Sequence, residues 1–249
     1  CLAAAAWRAV PHASARCDEA RYEWLAMLLA LAVLLPMVVR FAGGGVDDWW
    51  DLAYVRALAD RPSFDFREPM FGSDRVHPRF SWSVWLLLQA LVRRSTGADV
   101  VDLQSQLLAP IVCIGSVSAV LLLARAVYGA ANRAPVIVAA LAVPAWIYAT
   151  DALPYFTRLH QDKFVAAFVL MPVLLATALD YIAKPTARRA MMVALSATAL
   201  CSVHTLVFGV GVLGVLSCSA AGLLAGRERR GWYAVRRGLF GARQAYVLA

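Results

Sequence analysis

The chain has 249 residues, of which 61% are hydrophobic and only 16% charged, with a formal net charge of +8. Apolar content this far above the roughly 45–50% of soluble domains excludes an ordinary water-soluble globule and predicts a polytopic membrane protein, with room for about six to eight spans but no second soluble domain. The excess positive charge would suit nucleic acid, but the arginines gather at the ends of apolar runs and in one loop, where membrane anchoring and the positive-inside bias account for them, and nucleic acid is not expected as a partner.

In chain order, apolar runs predict spans at 24–42, 81–93, 107–128, 134–150, 164–183, 190–208 and 209–226. The chain opens at Cys1 on a partly apolar tail, the pattern expected of a fragment whose first span is cut, and no signal peptide is assigned. The first run, from Trp24 to Ala42, is interrupted only by Arg40, and Asp47 and Asp48 stand just outside it. The stretch 43–80 is the one long loop. Within it, VDDWWDLAYVRALAD predicts an amphipathic helix along the membrane surface, entered from Gly43-Gly44-Gly45, with Trp49, Leu52, Ala53 and Arg56 on one stripe and Asp48 and Asp51 near its start. Residues 61–76 then form an irregular connection with Pro62, Pro69 and Gly72, and His77-Pro78 leads into the next apolar run. Trp49, Trp50, Trp82 and Trp85 suit the headgroup zone.

Basic residues in 184–189 (Lys184, Arg188, Arg189) and the five arginines of 227–237 place those segments on the cytoplasmic side, which puts 151–163 and the 43–80 loop outside. Two outward loops must be joined by an even number of crossings, yet three apolar segments lie between them, so one of the three does not span. The shortest, 81–93, is about 20 Å long as a helix and reads as a short or re-entrant one; the alternative is 134–150, broken by Pro144. The predicted fold class is therefore all-α: a polytopic integral membrane helix bundle of one domain with a long extracytoplasmic loop carrying a surface helix.

Cys1, Cys17, Cys113, Cys201 and Cys218 show no metal-ligand or redox spacing and imply no disulfide or zinc framework. Gly43-Gly44-Gly45 precedes no strand-helix unit and is a hinge rather than a nucleotide loop.

The order of a first span, the Asp47-Asp48 pair, a surface helix, a loop, His77-Pro78-Arg79-Phe80 entering a helix, and a later LLLARAVYG segment resembles the first half of GT-C membrane glycosyltransferases, especially the protein O-mannosyltransferase and aminoarabinose-transferase branch. The resemblance spans residues 25–210 and departs from the family's His-Pro-Pro-Leu-like motif at its third position, Arg79. It implies a GT-C-like fold and transfer of a sugar from a polyprenyl-phosphate donor to an acceptor hydroxyl on a protein, lipid or glycan, on the outer face of a bacterial inner membrane. It also implies that the acidic pair supports the transfer, and it aligns Asp162, within HQDKFVAAFVL, with the family's outward-facing aspartate at the start of a later span.

Inverting glycosyl transfer needs a carboxylate to take the acceptor's proton and cations to stabilise the departing phosphate. Asp47 or Asp48 fits the base; alternatively Asp47 is the N-cap of the surface helix and Asp48 its first-turn dipole partner. The candidates for holding the lipid phosphate or substrate are Arg56, Arg75, His77, Arg79, His160, Asp162, Lys163 and His204. Arg75, His77 and Arg79 alternate, which in extended chain puts them on one side; snorkelling to headgroups is the competing explanation for each. His160, Asp162 and Lys163 also suit a local salt bridge or helix cap, and His204 suits a hydrogen-bonded histidine inside the bundle. No cofactor is assigned; Asp47, Asp48 and Asp162 could hold a divalent cation if they converge, although a hard ion wants more oxygens than these supply. A transporter or lipid flippase and a non-catalytic subunit of the same fold are the rival functions, and the concentration of charge at one surface speaks against the first.

Overall fold

Apolar runs punctuated by Gly, Pro and short polar side chains give helices. A computed structural model describes residues 13–42, 48–61, 67, 69, 76, 83–129, 137–139, 142 and 153–224. Among these residues no strand forms, and the sheet-like feature is an isolated antiparallel bridge between Arg67 and Val76. The predicted 134–150 span lies almost entirely outside the described residues.

Helix α1 covers Ala13–Phe41 and accommodates Pro36 in its interior. Helix α2 is Asp48–Asp60, and α3 is Val84–Thr96. Helix α3 is cut to length by its ends: the Ser83 hydroxyl accepts the N–H of Leu86 at 3.5 Å, and Gly97, at φ +71°, lets the chain turn left while its N–H bonds to the carbonyl of Arg93 at 2.8 Å. Helix α4 runs Val100–Tyr128, starting seven residues before the predicted 107. Its N-cap explains the earlier start, because an Asp99 carboxylate oxygen accepts the N–H of Val101 at 2.8 Å. Helix α5 is the short Leu153–Arg158, α6 is Asp162–Ala183, α7 is Ala187–Val203 and α8 is Thr205–Leu224.

Two of these helices contain a wide turn. In α4, Leu103–Leu108 is π-helical, as is Ala166–Leu170 in α6. Each precedes a proline, Pro110 and Pro172, and the N–H groups of Ala109 and Met171 reach back five residues, to the carbonyls of Gln104 and Ala166. A proline ring removes one intrahelical donor and crowds the carbonyl four residues back; widening the preceding turn relieves both problems.

Among the described residues three helices are long and apolar enough to cross a membrane: Trp24–Phe41 within α1, then α4 and α6. The main core is built by them with α5. Ala26, Ala30, Leu34 and Val38 of α1 pack on Ala109, Val112, Cys113, Val117 and Leu121 of α4, together with Tyr155, Phe156, Leu159 and Val165. Outward, Leu25, Leu28, Leu29 and Val33 of α1 are exposed, as suits a surface facing acyl chains. Helix α3 is not among the long apolar three. It has 13 residues and shares a separate core with α2, made of Tyr54, Val55, Leu58, Leu86, Ala90 and Val100, all fully buried.

On α2 the stripe of Trp49, Leu52, Ala53 and Arg56 is exposed or half-buried, and another face is covered. Trp49 is 65% exposed and Arg56 is also exposed, while the buried positions are Asp51, Tyr54, Val55 and Leu58. Helix α3 supplies the reason, since Leu86 and Ala90 cover Tyr54 and its neighbours. The final hydropathy run also divides elsewhere: His204, placed by sequence inside a 190–208 span, is the residue between α7 and α8.

Candidate functional site

Buried polar side chains follow one another at the turn from α5 into α6. Leu159, His160, Gln161 and Asp162 are all at most 2% exposed, an unusual depth for three consecutive polar residues. Local chemistry sets the turn. The N–H of Gln161 bonds to the Arg158 carbonyl at 2.9 Å, closing α5, and Gln161 then adopts an extended conformation as the N-cap of α6. Asp162 therefore occupies the first turn of a membrane-length helix, where the helix dipole favours negative charge, and its carboxylate accepts the N–H of Lys163 at 2.6 Å.

The turn is gripped from two directions. Trp85, in the first turn of α3, donates its indole N–H to the carbonyl of His160 at 2.7 Å. On the bundle side, Tyr155 shares a hydroxyl hydrogen bond of 2.8 Å with Ser116 of α4 and meets Phe168 of α6 edge-on at 5.1 Å. Lys163 turns toward the aromatic ring of Phe164, with Nζ 6.0 Å from its centroid, and Phe164 stacks on Phe168. The carboxylate of Asp162 is thus neighboured by His160 and Lys163 in sequence, in a residue only 1% exposed.

His204 belongs to the same end of the bundle. Helices α6 and α7 form a hairpin through Lys184–Thr186, so the C-terminal part of α7 returns to the level of Asp162–Val165 and also touches α3. Leu200 packs on Ala166 there. The imidazole Nδ1 of His204 accepts the N–H of Val207 at 3.4 Å, so this histidine caps α8 and its polar atom has local work inside an apolar hairpin.

Of the residues named from sequence, the structure brings together His160, Asp162 and Lys163, with His204 at the same end. Arg56 is elsewhere: it is exposed and pairs with Asp99 at 3.4 Å, both about half exposed. Asp48 is the first residue of α2, its side chain outside the described residues, and Asp47, Arg75, His77 and Arg79 also lie outside them. Among the described residues no three His, Cys, Asp or Glu side chains gather as a metal site.

Four buried or bridging side chains lie outside the candidates that the sequence offers. Asp51 is 5% exposed on the buried face of α2, and its spacing with Tyr54, Val55 and Leu58 was a helical pattern open to detection. The amide of Gln104, in the wide turn of α4, donates to Gln89 of α3 at 2.7 Å, both buried. Trp85 was read as a headgroup anchor; its partner lies 75 residues away, a separation no local pattern reveals.

The charge ring around α2 and α3 is at their C-terminal ends. Arg93 binds Asp60 at 3.0 Å, and Arg94 donates to the carbonyls of Ala59 and Arg61. The Val101 N–H holds the Asp99 carboxyl below its ordinary range against a desolvation that works the other way, with Arg56 and Arg93 assisting.

Set against known protein families, curated proteins and solved structures, the chain matches none of them.

Proposed function

We propose that this protein is a membrane glycosyltransferase of GT-C type that moves a sugar from a polyprenyl-phosphate donor to an acceptor hydroxyl, working in a bacterial inner membrane with its site facing outward. The observation that carries the reading is Asp162: a fully buried carboxylate opening a membrane-length helix, beside His160 and Lys163, under the helix that His77-Pro78 leads into. A buried ionisable group at the end of a membrane span is a functional feature by default, since burial without use is costly.

In the reaction, Asp47 or Asp48 accepts the proton of the acceptor hydroxyl as its oxygen bonds to the anomeric carbon. The bond between that carbon and the donor phosphate oxygen breaks, and the electron pair leaves with the polyprenyl phosphate. Arg75, His77 and Arg79 stabilise the charge released there. Orientation follows from Lys184, Arg188 and Arg189 at the α6–α7 turn, which favour the cytoplasmic side and put Asp162 at the opposite end of α6. Helix α4 supports an outward assembly of α2 and α3. Its 29 residues amount to about 43 Å against a hydrocarbon core of ~30 Å, so one end projects into the headgroups or beyond.

The test uses the full chain in proteoliposomes with a radiolabelled polyprenyl-phosphate sugar, following release of polyprenyl phosphate and label in the acceptor. Asp47→Asn, Asp48→Asn and Asp162→Asn are made singly, with membrane insertion checked by protease protection. Loss of at least a hundredfold is expected in one of the first two and in Asp162→Asn. Full transfer in all three overturns the mechanism, and movement of intact donor across the bilayer without transfer supports the flippase reading instead.

A further inference from the structure

We infer that the first turns of α3 are seated in the membrane leaflet on the Asp162 side of the bundle, with Val84, Leu88 and Leu91 against lipid acyl chains rather than water. This contact is independent of glycosyl transfer, which uses no residue of that face.

The polar side chains of these turns point the wrong way for a helix at a water surface. Over Val84–Val92, with the sequence VWLLLQALV, only Trp85 and Gln89 can hydrogen-bond through their side chains. Both bond to the protein: Trp85 donates to the His160 carbonyl at 2.7 Å, and Gln89, 1% exposed, accepts from Gln104 at 2.7 Å. The outward positions are Val84, Leu88 and Leu91, at 52%, 47% and 45% exposure, with Leu87 and Val92 half-buried beside them. A helix flanking a soluble core leaves its glutamine to solvent and keeps such a run of aliphatic residues inside. Inward hydrogen bonds behind an outward aliphatic face are how helices pack within a bilayer.

The face changes character in its last turn. Arg94, Ser95 and Thr96 are exposed, as are Asp99 and Asp102 at the start of α4, so the edge of the apolar zone falls between Leu91 and Arg94. The glutamine bridge fixes how that zone stands against the bundle. From Gly97 the two helices run side by side in opposite directions, with Arg93 reaching the Ala98 carbonyl near the turn and Gln89 meeting Gln104 farther along. At about 1.5 Å per residue, Leu107 lies about 4.5 Å beyond the bridge on α4, while Leu88 and Val84 lie about 1.5 and about 7.5 Å beyond it on α3. Leu107 and Ile111 are exposed aliphatic residues of a membrane-length helix, and Val84 and Leu88 therefore border the same band of lipid. Lipid is the occupant because the face continues that band. Trp85 follows Val84, so its bond to the His160 carbonyl, and the turn that leads to Asp162, lie at this depth as well.

Collision measurements on the full chain in phosphatidylcholine proteoliposomes test the seating. After the native cysteines are replaced, Val84→Cys, Leu88→Cys, Leu91→Cys, Leu107→Cys and Ile111→Cys each carry a nitroxide. Its relaxation is read with oxygen, which concentrates among acyl chains, and with a nickel chelate, which stays in water. The ratio of oxygen to nickel collisions should rise from Leu91 through Leu88 to Val84, and the Val84 value should fall between those of Leu107 and Ile111. Nickel access at Val84 and Leu88 equal to that of a water-exposed nitroxide overturns the seating. Few collisions with either reagent also overturn it, because a second copy or another chain then covers the face. Should replacing the cysteines unfold the protein, the native chain is photolysed in vesicles whose acyl chains carry a diazirine, and the adducts are mapped by mass spectrometry. Adducts on Val84 or Leu88 together with Leu107 or Ile111 support the seating, and adducts on α4 with none on α3 overturn it.

Discussion

The bundle of α1, α4 and α6 and the pair of α2 and α3 are packed to the same standard and differ in the charge gathered at their ends. Leu34 and Val38 in the first, and Tyr54 and Leu58 in the second, are all fully buried. Around the bundle the exposed residues include Leu28, Leu29 and Val33 of α1 and Ile111 and Ile114 of α4. The C-terminal end of the pair carries Arg56, Asp60, Arg93 and Arg94, joined with Asp99 by ion pairs and backbone contacts, while Trp49 of α2 and Val84, Leu88 and Leu91 of α3 are exposed as well. The ion-paired end is what sets the pair apart from the bundle. Apolar side chains in contact with water gain by leaving it, whereas helices surrounded by lipid gain mainly from shape and interhelical hydrogen bonds.

That contrast is broken or sharpened most strongly by truncating a leucine in each region. Leu58→Ala should cost about 2–5 kcal/mol in the α2–α3 unit, because transfer and cavity terms add. Leu34→Ala should cost less, because lipid solvates the separated helices and only the packing term remains. Amide exchange of α2 and of α1 in reconstituted bilayers reads the two separately; equal losses would erase the distinction.

The next largest effect is at the seam between the regions. Gln89→Leu or Gln104→Leu alone leaves a buried amide without its partner and should destabilise docking of α3 by about 1–3 kcal/mol. Replacing both should restore most of that loss, giving a strong positive coupling in a double-mutant cycle. Additive losses would show that the two amides act independently.

Smallest is the acid response of the charged rim. The Asp99 carboxyl has a folded-state pKa lowered from 3.8, first by the Val101 N–H and further by Arg56 and Arg93. A depressed carboxylate contributes stability above its unfolded pKa and loses it as pH falls through the folded one. The α3–α4 turn should therefore weaken only below about pH 4, more so in high salt, and Asp99→Asn should flatten that acid limb. A chain whose α3–α4 turn is as protected at pH 3 as at pH 6 would remove the assignment.

Much of this division was legible in sequence, for reasons that particular residues illustrate. The long apolar runs declared α1, α4 and α6 because about 20 uninterrupted apolar residues have few alternatives. The brevity of 81–93 already set it apart from the long spans, and α3 is indeed a 13-residue helix. The start of α4 escaped hydropathy because Asp102, Gln104 and Gln106 dilute its first turns, although Asp99 followed by apolar residues was a capping signal. Tyr54, Val55 and Leu58 of α2 follow a helical spacing, but that this face is the covered one depends on where α3 lies, which no local pattern tells. At the site, the grouping of His160, Asp162 and Lys163 was visible as adjacency in sequence. The burial of His160 and Asp162 was not, since the turn is held by partners such as Trp85, 75 residues away in sequence.

The wide turn at Leu103–Leu108 has a consequence for how this protein tolerates change. A π-turn holds one residue more than an α-turn, and each residue of α-helix advances the azimuth by about 100°. Everything on the Val100 side is therefore out of phase with the rest of α4, like a crank set into a shaft. Removing a single residue there would straighten the shaft and rotate Val100 and Asp99 off α3, although hydrophobicity and helix propensity would scarcely alter. Length, more than composition, is the constrained property of that segment, and Pro110 holds the crank at its angle.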